Sequence, residues 1–296
     1  TAAQKLINID HVSAIIGGVC SGETLGFAPI ANEKKVIAIS PSATSPDIST
    51  KGGPYIYRFA PSDALAGKVA AAYAINDLNF KRAAVISENT DYAQGLRKTF
   101  VTSFKLLGGE VVVDEAYNTG VTDFRTQALK IKNANVDVIY VIPQSAAPGL
   151  NILKALSDQQ IKAKRLTAEA MLSRDAAKEN ANVMEGLVGF EAFFQEDAPA
   201  AQEFIQAYKD VYHEELAYPF YMSNSYSEVF LLKDLLDKNN GDTEKVRDAL
   251  DRLKHWTGGS SSDVSLDESG DIQWRTYAVK EVKDGKIDSV RTFTLE

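Results

Sequence analysis

The sequence predicts an α/β protein whose parallel sheets carry helices on both faces. Short apolar runs alternate with segments of helical period from Ser13 to Phe194, and this repeated β-α-β order calls for parallel strands. The run Val136–Ile142 is apolar except for Asp137 and does not alternate with polar residues, which is typical of a strand covered on both faces. With 296 residues the chain exceeds the usual size of one domain, so we expect two lobes.

The predicted elements follow from these two periodicities. Strands are expected in the short apolar runs at Ser13–Gly17, Val36–Ser40, Ala83–Ser87, Glu110–Ala116, Val136–Ile142, Arg165–Ala168 and Leu187–Phe194. Helices are expected between them at Ser21–Glu33, Ser62–Asn79, Asp91–Leu107, Asp123–Asn133, Ala147–Gln159 and Arg174–Asn180.

The pattern changes after Ala198, where helix follows helix. These helices are expected at Ala198–Glu215, Phe220–Asn239 and Thr243–Leu253. The final segments, Asp271–Val279 and Lys286–Leu295, alternate apolar and polar residues around Asp284-Gly285 and predict an antiparallel hairpin.

Composition excludes several classes of function. The net charge is −8 and the basic residues are scattered, so no basic stripe is available for nucleic acid. Cys20 is the single cysteine, which excludes an internal disulfide, and the three histidines lack the spacing of zinc ligands. The longest apolar runs are too short to span a bilayer. We expect neither a metal nor a cofactor.

Two turns near the start of the chain predict a binding site. In Ala14–Thr24 and in Val36–Ser45, a β-branched run stops at Gly or Pro and small hydroxyl residues follow. Backbone N–H groups and hydroxyls at the carboxyl edge of a parallel sheet suit a small anion such as a carboxylate.

No catalytic constellation accompanies these turns. The sequence contains no GxSxG, no P-loop and no GxGxxG that opens a helix. Cys20 follows a strand at a helix start, where the helix dipole is expected to lower its pKa, but no histidine is spaced to act as its base. Acidic pairs such as Glu214-Glu215 are read as solvated surface. We expect a binding protein and not an enzyme.

The ordered motifs of the chain resemble those of the leucine/isoleucine/valine-binding protein family, the solute-binding components of ABC transporters. The resemblance covers essentially the whole chain, and its motifs are Ile15–Ser21, Ile39–Pro46, Tyr57–Asp63, Asp91–Leu96, Asp137–Tyr140 and the region of Glu169. It implies the type I periplasmic-binding-protein fold, which has two Rossmann-like lobes, three crossovers and a ligand cleft between the lobes.

The resemblance also implies where the lobes divide. The N-terminal lobe would comprise residues 1–61 and 192–270, and the C-terminal lobe residues 62–191 and 271–296. The crossovers would lie near Ala60–Ser62, Glu191–Phe194 and Asp267–Asp271.

Family members carry a further strand, helix and strand, about fifty to sixty residues, before the helix that opens this chain. The resemblance implies that the N-terminal lobe as given lacks this unit, that its sheet exposes a long edge, and that Cys20 pairs with a cysteine about twenty-five residues upstream of it.

Carried over residue by residue, the family's site begins in the N-terminal lobe. Ser21 and Thr44 would donate hydroxyl and backbone N–H groups to an α-carboxylate, and the carbonyls of Val19 and of Ser42 or Ala43 would accept from an α-ammonium. Cys20, between Val19 and Ser21, is counted among the ligand-binding residues. The alternative is that Ser21 and Ser45 only cap helices.

Three residues of the C-terminal lobe complete the implied site. Glu169 would pair with the ligand ammonium, although its turn reads Thr167-Ala168-Glu169-Ala170 where the family commonly has Gly-Pro-Glu-Gly. Tyr92 would close over the ligand, and Ser145 stands where many amino-acid binders have a tyrosine. Glu169 has the alternative role of a helix-capping residue.

The implied function is capture of a branched-chain or other hydrophobic amino acid by lobe closure, followed by delivery to an ABC-transporter membrane permease. We expect a monomer in the periplasm or outside the cell, with a lipid anchor upstream as one option. Three alternatives stay open: the same role with an aromatic or aliphatic carboxylate or amide, the sensor domain of a transcriptional regulator, and an enzyme.

Overall fold

The computed structural model of the protein describes residues 2–260 and 263–294. The chain divides into two compact units: unit 1 is Thr1–Ser62 with Phe194–Trp274, and unit 2 is Asp63–Phe193 with Arg275–Glu296. The chain therefore passes from one unit to the other three times. Leu295, the last residue of the predicted hairpin, lies outside the described residues, and the identification of the units with ligand-holding lobes stays a prediction.

The described helices follow the predicted ones closely. They are α1 (Ala2–Asn8), α2 (Ser21–Lys34), α3 (Asp47–Lys51), α4 (Asp63–Ala72), α5 (Asp91–Leu106), α6 (Arg125–Ala134), α7 (Ala146–Asp158), α8 (Arg174–Glu179), α9 (Ala181–Met184), α10 (Pro199–Tyr212), α11 (Pro219–Lys238) and α12 (Thr243–Leu250). Helix α4 continues as a π-helical turn, Tyr73–Asp77. The short helices α3 and α9 were not predicted, because four or five residues carry too little periodicity to be recognised.

The strands form two sheets and are numbered here in chain order. They are β1 (Ala14–Ile16), β2 (Ile37–Ser40), β3 (Ile56–Arg58), β4 (Arg82–Glu88), β5 (Glu110–Tyr117), β6 (Val138–Ile142), β7 (Lys164–Ala168), β8 (Val188–Ala192), β9 (Thr276–Lys283) and β10 (Lys286–Thr294).

Unit 1 contains a parallel sheet in the order β1-β2-β3. All four residues of β2 are buried, and separate apolar clusters lie on the two faces of the sheet, with Ile37 and Ile39 in one and Ala38 in the other. Strand β3 was missed from the sequence because its three residues, Ile-Tyr-Arg, are buried without forming an apolar run.

Unit 2 contains a seven-stranded sheet in the order β10-β9-β8-β7-β6-β4-β5. Strands β4 to β8 are parallel, and β9 runs antiparallel to both β8 and β10. Along β6, Tyr140 packs into one apolar cluster while Ile139 and Val141 pack into the other. The prediction of a strand covered on both faces is confirmed.

The hairpin is also confirmed, with one correction to its start. Its first strand begins at Thr276 and not at Asp271, because Asp271 turns its carboxylate to Arg58 in unit 1. Asp284 and Gly285 both have positive φ values, 51° and 71°, as a tight hairpin turn requires.

Candidate functional site

The nine residues expected to bind ligand fall into two groups, one in each unit. Val19, Cys20, Ser21, Ser42, Ala43 and Thr44 belong to unit 1, and Tyr92, Ser145 and Glu169 belong to unit 2.

In unit 1 the two turns lie side by side. They follow β1 and β2, which pair in parallel, so both turns leave the same edge of the sheet. Two hydrogen bonds join them: the Ser42 hydroxyl donates to the Val19 carbonyl at 2.8 Å, and the Ser45 N–H donates to Ser21 Oγ at 3.1 Å. The structure therefore brings Val19, Ser21 and Ser42 together as expected from the sequence.

Ser21 is placed to donate a hydrogen bond. It is the first residue of α2 and is 1% exposed, while the N-cap position belongs to Cys20. Since Ser21 Oγ accepts from the Ser45 N–H, its own proton remains for an acceptor such as a carboxylate oxygen. The alternative that Ser21 only caps the helix is wrong. Ser45 does keep a role at a helix start, because its Oγ accepts from the Asp47 N–H at 3.3 Å.

Hydrogen bonds from the buried Arg58 side chain orient the second turn. Arg58 Nη1 donates to the carbonyls of Ala43 and Ser45, at 3.3 Å and 2.8 Å. In a trans peptide the C=O and the following N–H point in opposite directions, so the Thr44 N–H faces away from Arg58. Thr44 itself is buried. This geometry suits a backbone donor for an anion.

Arg58 is a site residue that sequence reasoning missed. Its side chain is fully buried, and it donates from Nε and Nη2 to the two carboxylate oxygens of Asp271, at 2.7 Å and 2.6 Å. Nη2 also donates to Ser49 Oγ at 2.7 Å. A motif containing Arg58 was recognised, but nothing local in the sequence indicates a partner 213 residues away.

The pKa expected for Cys20 was wrong. Partial burial, followed by the nearby charge of Glu23, raises the pKa of the thiol. The Glu23 carboxylate accepts from the Cys20 N–H at 3.0 Å, which places a negative charge where the helix dipole alone would favour a thiolate. The raised pKa disfavours the thiolate form of Cys20.

In unit 2 the three expected residues share one edge of the sheet. Tyr92, Ser145 and Glu169 follow β4, β6 and β7, and these strands are parallel neighbours in the sheet. Ser145 is the exposed N-cap residue of α7, and its side chain does not cap the helix.

Glu169 and Tyr92 form a buried pair. Glu169 is 8% exposed and begins a 3-10 turn, Glu169–Met171, directly after β7. The neighbouring Tyr92 hydroxyl favours the ionised form of the Glu169 carboxylate and so lowers its pKa. Burial is the larger effect, and with a smaller contribution from Glu191 it raises the pKa of Glu169 to about 7. Glu169 is thus able to exist as either a charged or a neutral group near neutral pH.

Glu88 is a second residue that the sequence did not reveal. It is buried at the end of β4, where its two oxygens accept from the Thr119 hydroxyl at 2.6 Å and the Gln144 N–H at 2.8 Å. Gln144 immediately precedes Ser145, so Glu88 fixes the start of the turn that presents Ser145. From the sequence alone, a buried acidic residue at a strand end cannot be distinguished from a solvent-exposed one.

Metal sites and membrane spans also bear on function. Within residues 2–260 and 263–294, no group of three or more His, Cys, Asp or Glu side chains is arranged to hold a metal ion. Over the same part of the chain, no helix is both long and apolar enough to cross a membrane.

Comparison with known proteins gives a consistent result. A family model described as periplasmic binding protein matches residues 1–286. The Leu/Ile/Val-binding protein homolog 1 of Brucella abortus is 28% identical over 286 residues, which cover 95% of this chain and 76% of the relative.

Solved structures share the fold. A leucine-binding protein from Thermotoga maritima superimposes with a TM-score of 0.90 at 26% identity, covering 99% of this chain and 83% of the other. A solute-binding protein of an ABC transporter from R. palustris, solved in complex with benzoate, gives a TM-score of 0.86 at 18% identity, with coverage of 98% and 80%. The second likeness shows the fold alone.

Proposed function

Because this chain belongs to the periplasmic binding protein family, we propose that it captures a small hydrophobic amino acid and delivers it to the permease of an ABC importer. The observation that carries this proposal is the buried Glu169–Tyr92 pair of unit 2, which offers a carboxylate for an ammonium group. The similarity to Leu/Ile/Val-binding and leucine-binding proteins supports the same ligand class.

Unit 1 binds the α-carboxylate of the ligand in this proposal. Ser21 donates its hydroxyl, and the first N–H groups of α2, which have no partner within the helix, point at the same anion. Thr44 contributes its N–H and hydroxyl. A carboxylate bound by several such donors gains charge-assisted hydrogen bonds, which are stronger than neutral ones.

The carbonyls of the same turns accept from the ligand ammonium. Val19 O already accepts from the Ser42 hydroxyl but keeps a second lone pair. Ala43 O is directed at Arg58, so the Ser42 carbonyl is the better placed acceptor of the two.

Unit 2 supplies selectivity for the amine. Ionised Glu169 pairs with the ammonium, and a ligand without an amine leaves a buried carboxylate uncompensated. Tyr92 covers the ligand while its hydroxyl holds Glu169 in place, and Ser145 leaves room beside the ligand side chain.

We further propose that the two units close on the ligand. The ligand binds unit 1 first, and contacts with Tyr92 and Glu169 form on closure. Those contacts exist only in the closed state, so they provide the differential affinity that shifts the population. Closure also creates the signal that the permease recognises.

A carboxylate without an amine is the second candidate ligand. It is favoured by the pKa of Glu169, about 7, because a neutral carboxyl group tolerates a ligand that brings no positive charge. The fold shared with the benzoate-binding protein is compatible with this candidate.

A thermal-shift screen with matched ligands decides between the candidates. Leucine and 4-methylpentanoate share a carboxylate and a side chain but differ in the ammonium group. A rise in melting temperature with leucine alone supports the amino-acid role, since ligand that binds only the folded state stabilises it by mass action. A rise with 4-methylpentanoate or benzoate and none with leucine, isoleucine or valine assigns the carboxylate class instead.

Location and partners follow from the same proposal. The family is one of periplasmic solute-binding proteins, so we place this protein outside the cytoplasm, where it acts as a monomer that meets a membrane permease. In this role it binds and releases its ligand unchanged.

A further inference from the structure

We propose that Asn224 and Glu228 are a positioning pair for the second binding turn, residues 41–45. In this pair the carboxyl group of Glu228 donates a hydrogen bond to the Asn224 side-chain carbonyl. This inference rests on the proposed function, because the turn it supports is the one that carries Thr44. Neither residue was singled out from the sequence.

Asn224 holds two backbone segments at once. Its Nδ2 group donates to the carbonyl of Pro41 at 3.2 Å and to the carbonyl of Phe59 at 2.9 Å. Pro41 is the first residue after β2, and Phe59 is the first after β3. The side-chain amide of one helix residue therefore links the start of the binding turn to the end of the neighbouring strand.

Asn224 and Arg58 both hold carbonyl groups of the binding turn by donating hydrogen bonds to them. Asn224 holds the Pro41 carbonyl inward, and Arg58 holds the Ala43 carbonyl inward. The N–H groups that follow these two carbonyls, those of Ser42 and Thr44, consequently lie on the opposite side of the turn. Asn224 thus orients the Ser42 N–H and restrains the segment that leads to the Thr44 N–H.

The orientation of the Asn224 amide needs its own support. Its Oδ1 atom is buried and has no hydrogen-bond partner, so the contacts of Nδ2 alone hold the side chain. A buried carbonyl oxygen without a partner destabilises the fold. A donor at this oxygen would lock the amide in the observed orientation.

Glu228 is the residue that can supply this donor. It is fully buried on α11, one turn after Asn224, and both of its carboxylate oxygens lack partners. Side chains of a helix lean towards its N-terminus, so residue 228 lies over the turn that contains residue 224.

The neighbouring hydroxyl groups are already engaged elsewhere. The Ser227 hydroxyl donates to the Ser223 carbonyl at 2.9 Å, and the Ser260 hydroxyl donates to the same carbonyl at 2.9 Å. Ser260 N–H in turn donates to Ser227 Oγ. These two hydroxyl groups therefore do not serve Asn224, and a protonated Glu228 on the same helix can.

Burial favours the protonated form. Desolvation by burial raises the pKa of Glu228 well above its ordinary value. A neutral carboxyl group has one O–H donor, and the Asn224 oxygen is an acceptor, so one hydrogen bond satisfies both residues.

Two substitutions at one position test the pair. Glu228→Met keeps the length of the side chain and removes the donor, whereas Glu228→Gln keeps a donor without a titratable group. We measure the melting temperature, hydrogen exchange of the amides in residues 41–45 of the ligand-free protein, and leucine affinity.

The expected result separates positioning from mere stability. Glu228→Met should melt at a lower temperature, because it leaves the buried Asn224 oxygen without a donor. The same variant should also show faster exchange in residues 41–45 than the loss of global stability explains, and roughly tenfold weaker leucine binding, which is the effect of losing one hydrogen bond. Glu228→Gln should restore both to wild-type values.

Two outcomes overturn the inference. Wild-type exchange in residues 41–45 of Glu228→Met means that the turn does not depend on Glu228. A Glu228→Gln variant as defective as Glu228→Met means that the negative charge, and with it a bound cation, matters instead of the proton. Infrared spectra give an independent check, since the carboxylic-acid C=O band at neutral pH should weaken in Glu228→Gln.

The test also keeps the two proposals apart. Exchange is measured without ligand, so it reports on the turn whether or not leucine binds. If wild-type protein binds no leucine while the exchange results are as expected, the proposed ligand fails and the positioning pair stands. If wild-type protein binds leucine and both variants exchange and bind as wild type, the positioning pair fails alone.

Discussion

The guanidinium of Arg58 and the carboxylate of Asp271 are joined by two parallel hydrogen bonds inside unit 1, although 213 residues separate them in sequence. The remaining donors of Arg58 reach Ser49 and the carbonyls of the second binding turn. One buried side chain thus connects the binding turn to the last segment of unit 1. An arginine is suited to this task because its planar group donates in several fixed directions.

Asp271→Asn should destabilise the protein by about 3 kcal/mol, because it leaves the buried Arg58 charge without a counter-ion. Leucine affinity should fall in the same variant, since Arg58 no longer holds the turn rigidly. Urea unfolding and calorimetric titration measure the two effects.

An exposed ion pair provides the control for this prediction. Lys233 and Asp237 form a pair at 2.8 Å with both side chains about two-thirds exposed. Asp237→Asn should leave stability and binding at wild-type values. Equal losses in Asp237→Asn and Asp271→Asn would contradict the importance given to the buried pair.

Glu169→Gln should weaken leucine binding by about 2 kcal/mol or more, roughly thirtyfold, because the ligand ammonium loses its charged partner. The affinity for 4-methylpentanoate, which has no ammonium, should not fall. Calorimetric titration of both ligands against both proteins gives the four affinities required.

A substitution in unit 1 gives the matched comparison. Thr44→Ala removes a hydroxyl but keeps the backbone N–H, so leucine should bind about tenfold more weakly and no worse. Complete loss of binding in Thr44→Ala, or unchanged leucine affinity in Glu169→Gln, would reverse the proposed roles of the two residues.

Leucine affinity should decrease as the pH falls through about 7. Burial raises the pKa of Glu169 to about 7 in the ligand-free protein, and a bound ammonium stabilises its ionised form. Below that pH, binding must displace a proton, and the affinity falls by up to about tenfold per pH unit. Titrations in buffers of different ionisation enthalpy would detect the released proton.

The same group affects folding in the opposite direction. The pKa of folded Glu169, about 7, exceeds the ordinary value of 4.5, so the folded state holds its proton more tightly than the unfolded state. Its contribution to the free energy of unfolding therefore falls as the pH rises from about 4.5 to about 7. This part of the pH dependence should disappear in Glu169→Gln, and its persistence would assign it to another group.

Tyr92→Phe should move the pH midpoint of leucine binding upward. The Tyr92 hydroxyl beside the Glu169 carboxylate holds its pKa down, so without the hydroxyl the carboxyl group keeps its proton to higher pH. Affinity at pH 9, where Glu169 is ionised in both proteins, should differ less than affinity at neutral pH. A midpoint that stays at the wild-type value would show that Tyr92 does not act through Glu169.

Most of the fold is predictable from the sequence because it depends on local periodicity. The continuous apolar run of β6 and the helical spacing of α5 are visible within windows of ten to twenty residues. Strand β3 escapes the same reasoning, because Tyr57 and Arg58 are buried through partners that lie in other parts of the chain.

The residues of the candidate site also divide into those that the sequence reveals and those that only the folded chain reveals. Ser21, Thr44 and Glu169 follow strand ends, and a motif resemblance suffices to select them. Asn224 and Arg58 support the turn from underneath, and their roles depend on contacts with Phe59 and Asp271 that only the folded chain creates. The pKa of Cys20 was misjudged because the dipole of α2 is visible in sequence, whereas its burial is not.

Asp271 and strand β9 are both synthesised after the residues that they pair with, and this fixes the order in which those contacts can form. Until Asp271 leaves the ribosome, Arg58 lacks the carboxylate that neutralises it, and until β9 follows, the edge of β8 that pairs with it stays open. Each unit therefore completes these contacts only after the chain has returned to it.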